Sequence, residues 1–120
     1  MTASPMLRGD IWLVDFNPVL GSEANKRRPA VIVSNDRATA TAAALRRGVV
    51  TVVPLTSNVA KVYPFQVALD ASTTGLPADS KAQAEQVRSV AVERLSRPVG
   101  RVSPSDLALI DDALRLHLDL

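Results

Sequence analysis

The segment with the most chemical potential is a charged loop, Gly21–Arg28, which lies between two apolar stretches of the sequence. Glu23, Lys26, Arg27 and Arg28 are close together in it. An arginine can hold a phosphate through paired hydrogen bonds, and charged loops on a rigid β-scaffold are a usual place for binding and catalysis. A solvated hairpin loop is the other interpretation, and the loop alone does not decide between the two.

Two further polar clusters follow along the chain. Thr56 and Ser57 come directly after an apolar run, where hydroxyl groups can hydrogen-bond a phosphate oxygen or simply cap a turn. Lys81, Gln86 and Arg88 are interleaved with small apolar residues. A strand that carries them would line one face of a groove, or it would present an ordinary exposed sheet face.

The residue types that are missing restrict the chemistry. The sequence has no cysteine and one histidine, His117, which borders the apolar stripe of a predicted helix and is expected to be packed or half-exposed. Thiol catalysis, cysteine-based zinc sites and a histidine pair for acid–base catalysis within one chain are therefore excluded. The sequence also has no glycine-rich phosphate loop. We expect no metal and no cofactor.

Short β-forming runs must position these side chains. The predicted strands are Asp10–Phe16, Pro29–Ser34, Val49–Leu55, Phe65–Leu69 and Val99–Val102, with two more inside Lys81–Leu95 that are separated near Gln86. A short helix is predicted over Asn35–Leu45, and Ser72–Asp79 is interpreted as a loop that can include one helical turn.

The last segment gives the clearest prediction. Ser103 is a suitable N-cap, Pro104 fits the first helical position, and leucines follow at helical spacing, which predicts a helix over Pro104–Leu118. Many short strands and a closing helix indicate a mainly β protein with helices (α+β). We expect one domain over residues 1–120, built on a small, strongly curved sheet or open barrel.

Composition and charge narrow the class of partner. Hydrophobic residues make up 47% of the 120 residues and aromatic residues 3%, so stacking on many aromatic platforms is not expected. Residues 1–102 hold 13 Lys and Arg against 8 Asp and Glu, a net charge of +5, whereas residues 103–120 have a net charge of −3. The basic part suggests a polyanionic partner. The sequence has no apparent signal peptide or membrane-length apolar run, so a cytoplasmic location is expected.

In their order and spacing, these pieces resemble the MazF/PemK family of toxin–antitoxin endoribonucleases. The resemblance spans about residues 8–118 and rests on the pieces Arg8–Phe16, Gly21–Glu23, Arg28–Ser34, Val53–Ser57, Tyr63–Phe65 and Gln86–Ser89. It implies an SH3-like, strongly curved barrel with added helices that works as a homodimer. It also implies a MazE-like antitoxin whose acidic C-terminal part blocks the RNA groove.

The same resemblance implies metal-independent, sequence-selective cleavage of single-stranded RNA, with mRNA as the expected target. Cleavage leaves a 2′,3′-cyclic phosphate and a 5′-hydroxyl. The family's catalytic Arg and Thr correspond to Arg28 and Thr56, and its Gly-Ser-Glu glutamate corresponds to Glu23. In such a reaction Arg28 suits charge stabilisation, since a guanidinium stays cationic at neutral pH. Thr56 would hydrogen-bond a non-bridging oxygen. Glu23 is either the base or a group that orients Arg28.

The remaining polar residues are expected to bind RNA rather than to react. Lys26, Arg27, Lys81 and Arg88 would hold neighbouring phosphates, and Ser57 and Gln86 would add hydrogen bonds. Two other functions stay open at this point. One is a gyrase-poisoning toxin of the CcdB type, which shares the fold, although its poisoning tryptophan is C-terminal and the only one here is Trp12. The other is a non-catalytic RNA-binding barrel domain.

Overall fold

One antiparallel sheet forms the frame of the molecule. The computed structural model describes residues 6–16 and 27–120. Within them, the strands are β1 (Asp10–Asp15), β2 (Arg27–Ile32), β3 (Val49–Thr56), β4 (Gln66–Leu69), β5 (Ser80–Gln83), β6 (Arg88–Ala91) and β7 (Leu95–Arg101). Their order is β4-β5-β3-β2-β1-β7, and β6 also pairs with β3. The predicted open sheet of short strands with a closing helix is therefore confirmed.

The central strand β3 has three partners. Its β-branched run is buried along most of its length, as expected for a strand covered on both faces. One edge pairs with β2 through Val52, Val53 and Pro54. The other edge is divided, since the first half pairs with β6 and Leu55 and Thr56 pair with β5. The C-terminal end of β3 therefore lies beside β5, away from β6.

Within the same described residues, three α-helices accompany the sheet: α1 (Asp36–Leu45), α2 (Ala71–Thr74) and α3 (Pro104–Leu118). The side chain of Asn35 accepts a hydrogen bond from the Ala38 amide and so caps α1. Ser103 caps α3 in the same way, and Pro104 occupies its first turn. The cap and the bounds of α3 agree with the sequence prediction. No helix in the described ranges is long and apolar enough to cross a membrane.

The two faces of the sheet carry separate apolar clusters. On one face, residues such as Ile11, Val53 and Leu55 pack with Ile110 and Ala113 of α3. On the other face, residues such as Val14, Ile32, Val50 and Val52 pack with Ala42 of α1. Because aliphatic side chains make up nearly all of both clusters, the low aromatic content does not prevent a well-packed core. The sheet is thus supported from both sides.

Two strand predictions were wrong in their bounds. β2 begins at Arg27 and ends at Ile32, whereas Pro29–Ser34 was predicted, because Asp15 and Val14 of β1 continue the ladder to Arg27 and Arg28. The last strand runs over Leu95–Arg101 and is longer than the predicted Val99–Val102. Pro98 and Gly100 conceal this strand in the sequence, and both are tolerated because β7 lies at the edge of the sheet.

Arg8 links three parts of the fold. Its guanidinium donates to the Val33 carbonyl at 2.8 Å and forms a two-pronged ion pair with Asp111 of α3. The backbone amide of Arg8 donates to the Asp36 carboxylate at the start of α1. The chain before β1, the end of β2 and both long helices are therefore tied together by one residue.

We expect the Arg8→Ala variant to lose about 2 kcal/mol of unfolding free energy, because three charge-assisted hydrogen bonds disappear and Asp111 loses its partner. Urea denaturation would measure the loss. The matched control is Arg115→Ala, since Arg115 pairs with Asp112 on the exposed surface of α3 and should contribute less than about 0.5 kcal/mol. Equal losses in the two variants would contradict the special role of Arg8.

Candidate active site

An open groove lies where β2 begins and β3 ends. Its volume is about 410 Å³, and the segment that follows α2 forms its third wall. The residues that line it are Arg27, Arg28, Pro29, Leu55, Thr56, Ser57, Leu76, Pro77, Ala78 and Ser80. The groove thus brings together two of the polar clusters that the sequence singles out, namely the arginines before Pro29 and the hydroxyl residues after Leu55.

The ladder register explains why Arg28 and Thr56 meet. The pairing of β2 with β3 ends at Ala30 and Pro54, and the same antiparallel register, continued by two residues, would place Arg28 opposite Thr56. Side chains of directly opposed residues point to the same face of a sheet. The register therefore favours a common side for Arg28 and Thr56, and both residues line the groove.

The two arginines are strand residues, which corrects their expected placement in a loop. Arg27 is exposed and pairs with Asp15 of β1, whereas Arg28 is partly buried and pairs with Val14. Alternation along a strand directs neighbouring side chains to opposite faces, but the groove lies at the beginning of β2 and both arginines line it. No hydrogen bond or ion pair joins the Arg28 guanidinium to another residue in the described ranges. Its donors are therefore available to an anion in the groove.

The hydroxyl of Thr56 is oriented by its own turn. The backbone amide of Asn58 donates to Thr56 Oγ1 at 3.2 Å. Because this bond uses an oxygen lone pair, the hydroxyl proton stays free to be donated. Ser57 is exposed next to it on the rim of the groove. The end of β3 therefore offers hydroxyl donors that face the same space as the Arg28 guanidinium.

The third predicted cluster, Lys81, Gln86 and Arg88, lies outside the groove. Lys81 stands opposite Thr56 across β3 and β5, but it is buried and its ammonium donates to the Lys61 carbonyl. Gln86 is exposed at the end of the short 3₁₀ turn Ala84–Gln86. The Arg88 guanidinium lies 5.3 Å from the ring centre of Phe16, the residue after β1. None of these three side chains lines the groove itself.

Two predicted site residues, Glu23 and Lys26, lie outside the described residues. His117 is exposed on α3, where a packed or half-exposed position was expected, and it does not line the groove. Among residues 6–16 and 27–120, no three His, Asp or Glu side chains are grouped in a way that would hold a metal ion.

Sequence reasoning missed one wall of the groove. Leu76, Pro77, Ala78 and Ser80 close the side opposite β2, but their segment was interpreted only as a connecting loop. Their position depends on the contact of α2 with β7, which no local pattern encodes. Gly75 was a sequence signal of a chain reversal there, and in the structure it adopts the αL conformation with φ 86° directly after α2.

Comparison with known proteins shows which family this sequence matches. Residues 7–118 match the family described as PemK-like, MazF-like toxin of type II toxin–antitoxin system. The chain is 70% identical to endoribonuclease MazF9 of Mycobacterium tuberculosis (strain ATCC 25618 / H37Rv), over 96% of this chain and 98% of that relative. It is 31% identical to endoribonuclease EndoA of Bacillus subtilis (strain 168), with 94% of each chain covered.

The fold has the same kind of relatives. A solved MazE–MazF structure (Form-II) from Deinococcus radiodurans superposes with a TM-score of 0.76 at 26% identity. The superposition covers 98% of this chain and 99% of that one. Sequence and fold comparisons therefore point to one family.

Proposed function

We propose that this chain, which belongs to the PemK-like, MazF-like toxin family of type II toxin–antitoxin systems, is an endoribonuclease toxin that cleaves RNA in the groove between β2 and β3. The observation that supports this location best is that Arg28 of β2 and Thr56 of β3 line the same groove. The relatives are named endoribonucleases, so the gyrase-poisoning alternative has no support.

The proposed reaction uses the nucleophile that RNA itself carries. The 2′-hydroxyl oxygen attacks the adjacent phosphorus, a new 2′-O–P bond forms, and the P–O5′ bond breaks. The products are a 2′,3′-cyclic phosphate and a 5′-hydroxyl. The enzyme must accept the 2′-hydroxyl proton and stabilise extra negative charge on the phosphoryl oxygens. The leaving 5′-oxygen must also receive a proton.

Arg28 and Thr56 suit the stabilisation of this charge. A guanidinium can grip two phosphoryl oxygens at once and needs no change of protonation to do so. The free hydroxyl proton of Thr56 adds a third donor to the same oxygens. Because both residues stand on paired strands rather than on a loop, their positions are fixed before RNA binds, which lowers the ordering cost in the transition state.

Glu23 is proposed as the group that accepts the 2′-hydroxyl proton, with orientation of Arg28 as the other role it could have. Lys26, Arg27, Lys81 and Arg88 are proposed to hold neighbouring phosphates, together with Ser57 and Gln86. Lys81 would have to keep or exchange its bond to the Lys61 carbonyl in doing so.

The proposal includes the assembly in which the toxin works. A MazF relative is known in complex with MazE, so we propose that a MazE-like antitoxin neutralises this chain and that the toxin is a homodimer. We further propose that residues 1–120 form one domain, that the protein acts in the cytoplasm, and that single-stranded mRNA is its substrate. The net charge of +5 over residues 1–102 is favourable for both RNA and an acidic antitoxin segment.

Incubation of the purified chain with a single-stranded RNA pool of varied sequence, in EDTA, tests the proposal. We expect cleavage at a restricted set of sequences, with cyclic phosphate on the upstream fragments and 5′-hydroxyl on the downstream fragments. The same pool annealed into duplexes is the control and should stay intact. Loss of cleavage in EDTA would contradict the metal-independent reaction. Binding without cleavage would favour the non-catalytic RNA-binding domain.

A further inference from the structure

Two of the four aromatic residues of the chain stack on each other close to the groove. The rings of Tyr63 and Phe65 have centroids 5.4 Å apart and planes inclined by 16°. Tyr63 is 41% exposed. Two ammonium groups accompany its ring: that of Lys61 lies 4.7 Å from the ring centre and that of Lys81 lies 5.8 Å from it. An exposed aromatic ring with two cations beside it forms what we call the Tyr63 platform.

The Tyr63 platform is connected to the hydroxyl wall of the groove through Lys81 of β5. Lys81, which lies beneath it, is the direct cross-strand neighbour of Thr56, and paired strands are about 4.8 Å apart. The loop that carries the platform begins at Ser57, which lines the groove. An RNA strand whose phosphate sits between Arg28 and Thr56 would therefore bring a flanking nucleotide to Tyr63.

The ring is presented on a well-anchored loop. The Lys81 ammonium donates to the Lys61 carbonyl at 2.6 Å and so ties the loop to β5. The side-chain oxygen of Gln66 accepts a hydrogen bond from the Tyr63 backbone amide, and the backbone amide of Gln66 donates to the Tyr63 carbonyl. The Gln66 side chain is itself held by Glu85 at 2.8 Å. A ligand that stacks on Tyr63 therefore meets a ring whose backbone is already ordered, which reduces the entropy cost of binding.

We propose that Tyr63 stacks on an RNA base flanking the cleaved phosphate, while the ammonium of Lys61 moves from the ring to the phosphate of that nucleotide. Every base offers a flat face, so this contact adds affinity with little demand on sequence. Lys61 is exposed and has a flexible stem, and a phosphate is a stronger partner for its charge than a tyrosine ring is. The proposal rests on the function proposed above and adds a specific subsite to it.

The test uses a strand that binds but does not react. A single 2′-deoxy nucleotide at the mapped cleavage position removes the nucleophile, and 2-aminopurine replaces each flanking base in turn. We expect the fluorescence of one 2-aminopurine position to be quenched by wild-type protein and by Tyr63→Phe, which keeps the ring. Tyr63→Ala should lose the quenching and bind about 5- to 150-fold more weakly.

Two further variants separate stacking from other effects. Tyr63→Leu keeps apolar area without a ring and should behave like Tyr63→Ala. Val59→Ala removes a similarly exposed apolar side chain from the same loop and should bind like wild type. An abasic site at the quenched position should weaken wild-type binding and leave Tyr63→Ala binding unchanged. Urea denaturation would establish that each variant is folded.

The outcomes distinguish this inference from the proposed function. If wild-type protein cleaves the all-RNA strand but no 2-aminopurine position is quenched, or if Tyr63→Ala binds as tightly as wild type, the stacking subsite is wrong and the nuclease function stands. If wild-type protein cleaves no RNA, the probe is an unmodified single-stranded RNA that it binds, with 2-aminopurine placed at each position in turn; Tyr63-dependent quenching of one position would then support the subsite while the catalytic assignment fails. Absence of both would overturn both.

Discussion

Replacement of Arg28 with Ala is expected to slow RNA cleavage by at least about 100-fold while the protein stays folded. Loss of one preorganised donor to a developing oxyanion commonly costs about 100- to 1,000-fold, and Arg28 would supply two donors and a full charge. The side chain is only partly buried at the beginning of β2, so its removal leaves no large cavity. Single-turnover cleavage of one defined RNA would measure the effect.

Three companion variants show what the Arg28 effect means. Arg28→Lys keeps the charge without the two-pronged geometry and should recover only a small part of the rate. Arg47→Ala removes one positive charge at the opposite end of β3, where Arg47 is exposed, and should cleave like wild type. Glu23→Gln tests the base separately. The single-turnover rates of Arg28→Ala and wild type need to be measured to within about twofold. If the two rates then differ by less than about threefold, the active site has been placed incorrectly.

The second large effect is expected at Gly100. A Cβ added there would overlap the carbonyl oxygen and carbon of Thr74, the last residue of α2. The obstacle is backbone and cannot turn aside, so either α2 or β7 must move. We expect Gly100→Ala to lower the unfolding free energy by about 2–4 kcal/mol. At an uncrowded site, replacement of Gly with Ala would instead raise the unfolding free energy by about 0.4–1 kcal/mol.

The consequence of Gly100→Ala should reach the groove. α2 leads directly into Leu76, Pro77 and Ala78, which form a groove wall, so cleavage by the folded variant should also fall. Gly48→Ala is the informative comparison. A Cβ added at Gly48 would make only an ordinary contact with the Ala42 Cβ at 3.8 Å, but the φ of Gly48 is 98°. That substitution should therefore cost only about 1–2 kcal/mol through backbone strain and leave cleavage unchanged. Urea denaturation would measure the unfolding free energy of each variant, and cleavage assays would measure its activity. Equal activity in Gly100→Ala and Gly48→Ala would contradict the link between Gly100 and the groove wall.

The sequence contained most of what fixes the secondary structure. Ser103 and Pro104 define the start of α3, and β-branched runs define β3, because caps and propensities act over a few residues. The boundaries of β2 and β7 could not be obtained in this way. Arg27 and Arg28 belong to a strand only because β1 offers them partners, and the Pro98 region belongs to β7 for the same reason.

The candidate site was predictable to a similar extent. The importance of Arg28 and Thr56 follows from residue type and from the family resemblance, and their meeting follows from the register of β2 and β3. The groove wall after α2 and the burial of Lys81 depend on long-range packing, which no short pattern records. The Tyr63 platform was hidden for a related reason: low aromatic content argues against many stacking sites but not against a single one.

Among the described strands, β7 lies at an edge of the sheet, which bears on how copies of this protein can associate. β7 is the terminal strand of the sheet order, and an exposed terminal strand is a template for intermolecular pairing and aggregation. Pro98 has no amide proton to donate to the strand of a second copy, and Arg97 and Arg101 on either side of it are exposed. A second copy laid antiparallel along this edge would bring arginines against arginines without a continuous ladder. Strand pairing at this edge is therefore disfavoured, and the proposed homodimer is expected to use other surfaces.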